Sequence, residues 1–97
     1  MDDLVSVVIP CRNDTRLVRA LESVARQTYT PVEVIIVDDA SYRPIPLLSS
    51  VGTIRFDHHV GPAVARNAGV QEATGEWIAF LDADDWWLPS KLARQMA

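Results

Sequence analysis

The sequence predicts an α/β fold, a Rossmann-like parallel sheet with flanking helices, and three observations carry that prediction. Near-continuous apolar runs, Val5-Ser6-Val7-Val8-Ile9 and Val34-Ile35-Ile36-Val37, are what parallel strands covered on both faces look like, whereas a half-exposed sheet alternates apolar with polar residues. These runs alternate with segments of helical length. The run Val34 to Val37 ends in Asp38-Asp39, and a further apolar run, closing with Phe80-Leu81, ends in Asp82-Ala83-Asp84-Asp85. Open α/β sheets bind their ligands beyond the carboxyl ends of the strands, so both clusters belong to the edge that carries function.

Taken in order, the first strand reads as Leu4 to Pro10. Asp14 then offers an N-cap for a helix running to about Gln27. Leu17, Ala20, Leu21 and Val24 are spaced to form its buried stripe, and Arg16, Arg19, Glu22 and Arg26 face water. Pro31 separates this helix from a strand over Val32 to Asp38. Pro44 and Pro46 break the following loop and leave room only for a short helical turn around Leu47-Leu48. A third strand is placed at Thr53 to His58. Gly61-Pro62 opens the next helix, with proline at the first position, where a missing N–H costs nothing. Ala63, Ala65, Ala68 and Gly69 let that helix approach the sheet closely, and Gly75 ends it before a strand over Glu76 to Leu81. A last helix starts near Pro89-Ser90 and runs to Ala97 as though interrupted. The whole reads as one domain, residues 1–97, and as the front part of something longer.

Composition removes several function classes. A hydrophobic fraction of 48% with 23% charged residues argues for a folded unit. The net charge of −4 and arginines spread along the chain leave no basic patch for a nucleic-acid backbone. Cys11 is the one cysteine, so no internal disulfide framework exists and a reducing compartment fits. Asp2 and Asp3 stand where a signal peptide needs positive charge, and the apolar run after them stops at Pro10. The expectation is a cytoplasmic protein, placed at the inner face of the membrane if a longer chain carries an anchor.

The segment Phe80-Leu81-Asp82-Ala83-Asp84-Asp85 carries the most chemistry. Two unit charges about 4 Å apart repel by roughly 4 kcal/mol at an effective dielectric near 20, so clustered carboxylates call for a cation. All the donors are hard oxygens, with no Cys or His in the stretch, which selects Mg²⁺ or Mn²⁺ over Zn²⁺ or Cu²⁺. On this motif alone, a solvated cap ahead of the next helix explains the same acids equally well.

The motifs that follow, taken in order along the chain, shift that balance. Val5-Ser6-Val7-Val8-Ile9-Pro10 with Asn13, the helix end Ser23 to Thr28, Val37-Asp38-Asp39-Ala40-Ser41, Gly61-Pro62-Ala63-Val64-Ala65-Arg66-Asn67-Ala68-Gly69, and the acidic segment together resemble the family 2 glycosyltransferases of the GT-A fold. The resemblance covers nearly the whole chain and implies the amino-terminal, nucleotide-sugar-binding half of that fold. Asp82-Ala83-Asp84 corresponds to the family's DXD motif. Asp84 is then the direct metal ligand bridging to a diphosphate and Asp82 lies near ribose and metal, with Mn²⁺ or Mg²⁺ as cofactor. Asp85 fixes the turn or orients the outer shell. Pro10, Cys11 and Asn13 line the nucleotide pocket, Asp39 contacts the base, and Arg66 partners a phosphate or the acidic cluster. A carboxylate only accepts hydrogen bonds, so Asp39 suits the imide N–H of uracil better than the acceptor nitrogen of cytosine. The implied reaction moves a sugar from a nucleoside diphosphate sugar, UDP-linked by preference, to an acceptor hydroxyl on a glycan, lipid or protein, with inversion. The acceptor half and the catalytic base are expected beyond Ala97.

Other conspicuous residues have blander readings. Trp77 is expected in the core, and core packing is favoured over sugar stacking for Trp86 and Trp87. His58 and His59 read as solvated or packing residues, Asn67 as a hydrogen-bonding partner of the loop backbone, and Cys11 as a small packing residue. A phosphorylation receiver would need a phosphoacceptor aspartate one strand later, then a Thr or Ser strand end and a Lys, which are missing. A nucleotidylyltransferase would need a Gly- and Lys-bearing loop after the first strand, where Cys11-Arg12-Asn13-Asp14 stands. A non-catalytic nucleotide-binding scaffold remains open as the alternative. An apolar patch around Trp86, Trp87, Leu88 and Leu92 predicts that the isolated chain self-associates or is only marginally stable.

Overall fold

A computed structural model describes residues 2–43, 45 and 50–97, and its elements alternate as the sequence predicts. Strand β1 covers Val5–Cys11, helix α1 Leu17–Ala25, strand β2 Val32–Asp39, strand β3 Val51–Phe56, helix α2 Pro62–Glu72, strand β4 Trp77–Phe80 and helix α3 Lys91–Met96. The four strands form one parallel sheet in the order β3-β2-β1-β4. The chain moves outward from β1 through β2 to β3 and then returns to the other side of β1, which creates a switch point between β1 and β4.

The Val/Ile runs are buried on both faces because helices cover both. Val5, Val7 and Ile9 pack with Ile36 against Leu17, Ala20 and Val24 of α1 and Leu92 of α3. Val8, Ile35 and Val37 pack on the opposite face with Ala65 of α2. The approach of α2 depends on Gly69, where a Cβ would stand 2.3 Å from a Val8 methyl carbon. Pro10 is tolerated in the central strand for a readable reason. Val8 turns its carbonyl to the β4 side, accepting the Leu81 N–H, and alternation turns position 10 the same way, past the last β1–β4 pair, Val8 with Phe80. No ladder bond is lost there.

Several boundaries differ from the sequence reading. Helix α1 starts at Leu17, and Asp14 instead turns the chain ahead of it, its Oδ1 accepting the Arg16 amide at 2.9 Å. Strand β3 runs two residues earlier than expected. Helix α2 begins at Pro62 but ends at Glu72, so Gly75 is no helix cap. A Cβ on Gly75 would lie 2.6 Å from Ser6 Oγ, and it is this crowding that requires glycine. The expected turn around Leu47-Leu48 lies outside the described residues. Among the described residues, no helix is long and apolar enough to cross a membrane.

Candidate nucleotide-sugar site

Strand alternation sends the two carboxylates that end β2 to opposite faces. Asp38 falls on the α1 side with Ile36, where it is 1% exposed. Its Oδ2 takes Arg55 Nη1 of β3 and its Oδ1 takes the Ser41 amide at 3.0 Å. Ser41 Oγ in turn accepts the Asn13 amide at 3.0 Å, and Asn13 Oδ1 accepts the Tyr42 amide at 2.7 Å. Ala40 between them sits at φ 57° and Asn13 at φ 53°, both in the left-handed region. These loops line an open cavity of about 410 Å³ at the carboxyl ends of β1 and β2, whose walls include Cys11, Asn13, Leu17, Ser41 and Tyr42. At its rim the Arg12 guanidinium lies 5.8 Å from the centre of the Tyr42 ring, within cation–π range.

Asp39 points to the α2 side. Its Oδ1 accepts the Val60 amide at 2.8 Å, and its Oδ2 accepts the Gly61 amide at 2.9 Å and faces His59 Nδ1 at 2.8 Å. Burial pushes the Asp39 carboxyl up, but the two amides and the imidazole outweigh it and hold it below the ordinary carboxylate range. His59 thus partners Asp39, a contact more specific than the solvated or packing role its position suggested. The Cys11 thiol is pushed up to about 12, by burial first and then by Asp38, Asp14 and Asp39. It stays protonated near neutral pH and cannot serve as a nucleophile.

Beyond β4, Leu81 and Ala83 turn inward while Asp82, Asp84 and Asp85 face solvent. The Asp85 amide donates to the Asp82 carbonyl at 3.0 Å, closing a turn, and Asp85 Oδ1 accepts the Trp86 amide at 2.8 Å. Arg66, the fifth residue of α2 and so past its first turn, reaches Asp82 Oδ1 at 3.3 Å. Arg19 Nη2 donates to the Asp84 carbonyl at 3.0 Å. Among the described residues, no three acidic, His or Cys side chains converge on a common point, so the acidic segment does not form a closed metal cage. An exposed, all-oxygen pair is nonetheless what Mg²⁺ or Mn²⁺ takes when phosphate oxygens complete the shell.

The remaining predicted residues fall as follows. Pro10 lies in β1 and is not among the residues lining the 410 Å³ cavity. Among the described residues, the Asn67 side chain, exposed on α2, makes no hydrogen bond to the loop backbone. Trp77 is 54% exposed, against the expectation of a core residue, because nothing described here covers the far side of β4; its Nε1 donates to Asp3 Oδ2 at 3.1 Å. Trp86 and Trp87 part company, the first exposed and the second buried in the core beneath Lys91. Two structural residues escaped sequence reasoning. Arg55 is one. Gln27 is the other, its Nε2 donating to the Leu88 carbonyl at 2.7 Å and its Oε1 accepting the Leu92 amide at 3.1 Å, which ties α1 to the segment after the acidic turn. A polar side chain at the end of an amphipathic helix carries no signal of such a contact until the fold closes on it.

The model of the family described as Glycosyl transferase family 2 matches residues 6–97. The chain belongs to that family. Among its relatives, the succinoglycan biosynthesis protein ExoO of Rhizobium meliloti is 40% identical over 97% of this chain and 29% of its own length. The chain spans well under half the length of the curated relatives compared with it, from 15% of a Rickettsia bellii glycosyltransferase to 42% of WfgD of Escherichia coli. Among solved structures, S. aureus TarS 1-349 in complex with UDP-GlcNAc superposes with a TM-score of 0.80 at 26% identity, over 94% of this chain and 29% of that one. The mannosyltransferase PcManGT from Pyrobaculum calidifontis, in complex with GDP-Man and Mn²⁺, gives 0.81 at 25%, over 96% and 31%. The chain thus carries part of the GT-A architecture of the family 2 glycosyltransferases.

Proposed function

We propose that this chain is the donor-binding part of a metal-dependent glycosyltransferase that takes a UDP-sugar and delivers the sugar to an acceptor hydroxyl with inversion. The observation that carries the reading is the placement of a nucleoside-sized cavity beside the β1–β4 switch point, with an exposed acidic turn on the other side of that point. Arg19 of the intervening helix links the two, its Nη2 donating to the Asp84 carbonyl at 3.0 Å. A nucleoside lodged between the loops of Asn13 and Tyr42 would extend its diphosphate toward Asp82 and Asp84.

In this reading Asp84 and Asp82 hold Mn²⁺ or Mg²⁺. The bound cation would neutralise charge on the leaving diphosphate. Arg66 keeps Asp82 oriented while the donor is absent. No acceptor site or general base is assigned among the described residues. A UDP-linked donor is supported by a relative 35% identical, the UDP-Glc:alpha-D-GlcNAc-diphosphoundecaprenol beta-1,3-glucosyltransferase WfgD of Escherichia coli, and by TarS in complex with UDP-GlcNAc, while PcManGT, in complex with GDP-Man, supports only a nucleoside diphosphate sugar. Calorimetry tests the proposal: UDP binding is expected with Mn²⁺, at least tenfold weaker with EDTA, and weaker to a similar degree in Asp84→Ala. Equal affinity in EDTA, or an unchanged Asp84→Ala variant, removes the metal-site reading.

A further inference from the structure

We infer that Arg55 is a positioning residue for the nucleoside pocket, acting from the edge strand through Asp38 and Ser41. The inference rests on the donor-binding reading above. Arg55 is absent from the cavity wall, yet both arms of its guanidinium are directed at what holds that wall. One arm pairs with Asp38, directly across from it in the β2–β3 register, and the other donates to the Ser41 carbonyl at 3.0 Å. Ser41 therefore has three of its polar groups fixed. Its carbonyl is held by Arg55, its amide by Asp38 and its hydroxyl by the Asn13 amide.

The consequence is a preset pocket. Ala40 at φ 57° and Asn13 at φ 53° occupy backbone conformations that persist only where surrounding contacts over-determine them. At Ala40 those contacts are the Asp38–Ser41–Arg55 ring. A lysine at 55 would keep a cation against the buried Asp38 carboxylate, but a single ammonium cannot reproduce the planar fork that spans carboxylate and carbonyl together. A ligand would then have to order the 40–42 loop as it bound, and affinity would fall.

The split between nucleoside and diphosphate makes this testable, because the acidic turn after β4 does not touch Arg55. Affinities for UDP and for pyrophosphate, both with Mn²⁺, are measured by calorimetry on the chain and on Arg55→Lys, with melting followed by circular dichroism. The expected result is UDP binding weakened roughly tenfold in Arg55→Lys. Pyrophosphate binding should stay within about twofold of the unsubstituted chain. Unchanged UDP affinity in a folded Arg55→Lys overturns the inference while leaving the donor reading intact, and so does a parallel loss of UDP and pyrophosphate, which marks a general structural defect. If Arg55→Lys does not fold, Arg55→Met combined with Asp38→Asn removes both charges and is judged by the same split. Failure of the unsubstituted chain to bind UDP with Mn²⁺ overturns the donor reading and this inference together.

Discussion

A carboxylate that already holds three donors can read a base only through the lone-pair capacity it has left. Asp39 accepts two amides and faces one imidazole, and a carboxylate offers about four lone-pair positions, so one remains for the imide N–H that the family resemblance assigns to it. Asp39 does not line the 410 Å³ cavity, so that contact requires the base to reach across the end of β2 to the α2 side. On that geometry Asp39→Ala weakens UDP roughly ten- to hundredfold, the loss of a charge-assisted hydrogen bond, and leaves residual CDP binding nearly unchanged. A competition series in which both nucleotides weaken alike would mean that Asp39 organises residues 59–61 and does not read the base. The sequence shows that Asp38 and Asp39 end a strand at the working edge, and it also shows the alternation that sends adjacent residues to opposite faces. It cannot show what waits on each face. The partners of Asp38 come from β3 and from the turn at Ser41, and those of Asp39 from residues 59–61, contacts set by register and loop path that no local pattern encodes.

The strands and helices were legible because their signals are physical. Buried runs, prolines and small-residue stripes mark β1, β2 and α2 wherever they occur. Ends were less so, and the turn joining α2 to β4 shows why. Gly75 resembles a helix terminator in sequence, but it sits where it does because Ser6 and the Leu4 carbonyl crowd it. Ser6 is also part of a polar knot that pins this turn to the far end of the sheet. The Glu33 Oε2 accepts the Ser6 hydroxyl, the Thr74 amide at 2.8 Å and the Thr74 hydroxyl at 3.0 Å. The Ser6 hydroxyl first, with the Thr74 amide and hydroxyl and the Gly75 amide, outweighs partial burial and holds the Glu33 carboxyl below its ordinary range. The folded state therefore binds a proton at Glu33 less readily than the unfolded chain. Its contribution is fully present above the unfolded value of about 4.3 and is lost as pH falls through the depressed folded one. Glu33→Gln should lower stability near pH 7 by about 1–2 kcal/mol. It should also flatten the acid side of the melting profile, with a residual slope from Asp39, which titrates in the same direction. Identical acid slopes for the two chains, by thermal melts from pH 7 to about pH 3, would remove Glu33 from the account.

Taken as one body, the chain has a finished side and an unfinished one. Helices α1 and α3 cover one face and α2 the middle of the other, over β1 and β2, while β4 pairs only with β1 among the described residues. The apolar surface left over is not where the sequence placed it. Of the expected patch, Trp87 and Leu92 are buried in the core, and only Trp86 and Leu88 face water. The larger exposure runs along β4. Trp77 faces one side, and Ile78 and Phe80, the latter 46% exposed, share the α2 side that α2 does not reach. An edge strand with unpaired backbone groups and apolar side chains on both faces is a template for pairing with another chain. The isolated chain should therefore self-associate at concentrations of roughly 100 µM, with β4 as the contact. Phe80→Lys places a charge on that strand, the device natural edge strands use against pairing, and should restore the monomer without lowering the melting temperature, since Phe80 contributes little to the core. Sedimentation velocity decides it. A monodisperse monomer for the unsubstituted chain, or association that Phe80→Lys leaves untouched, would place the contact elsewhere or deny it.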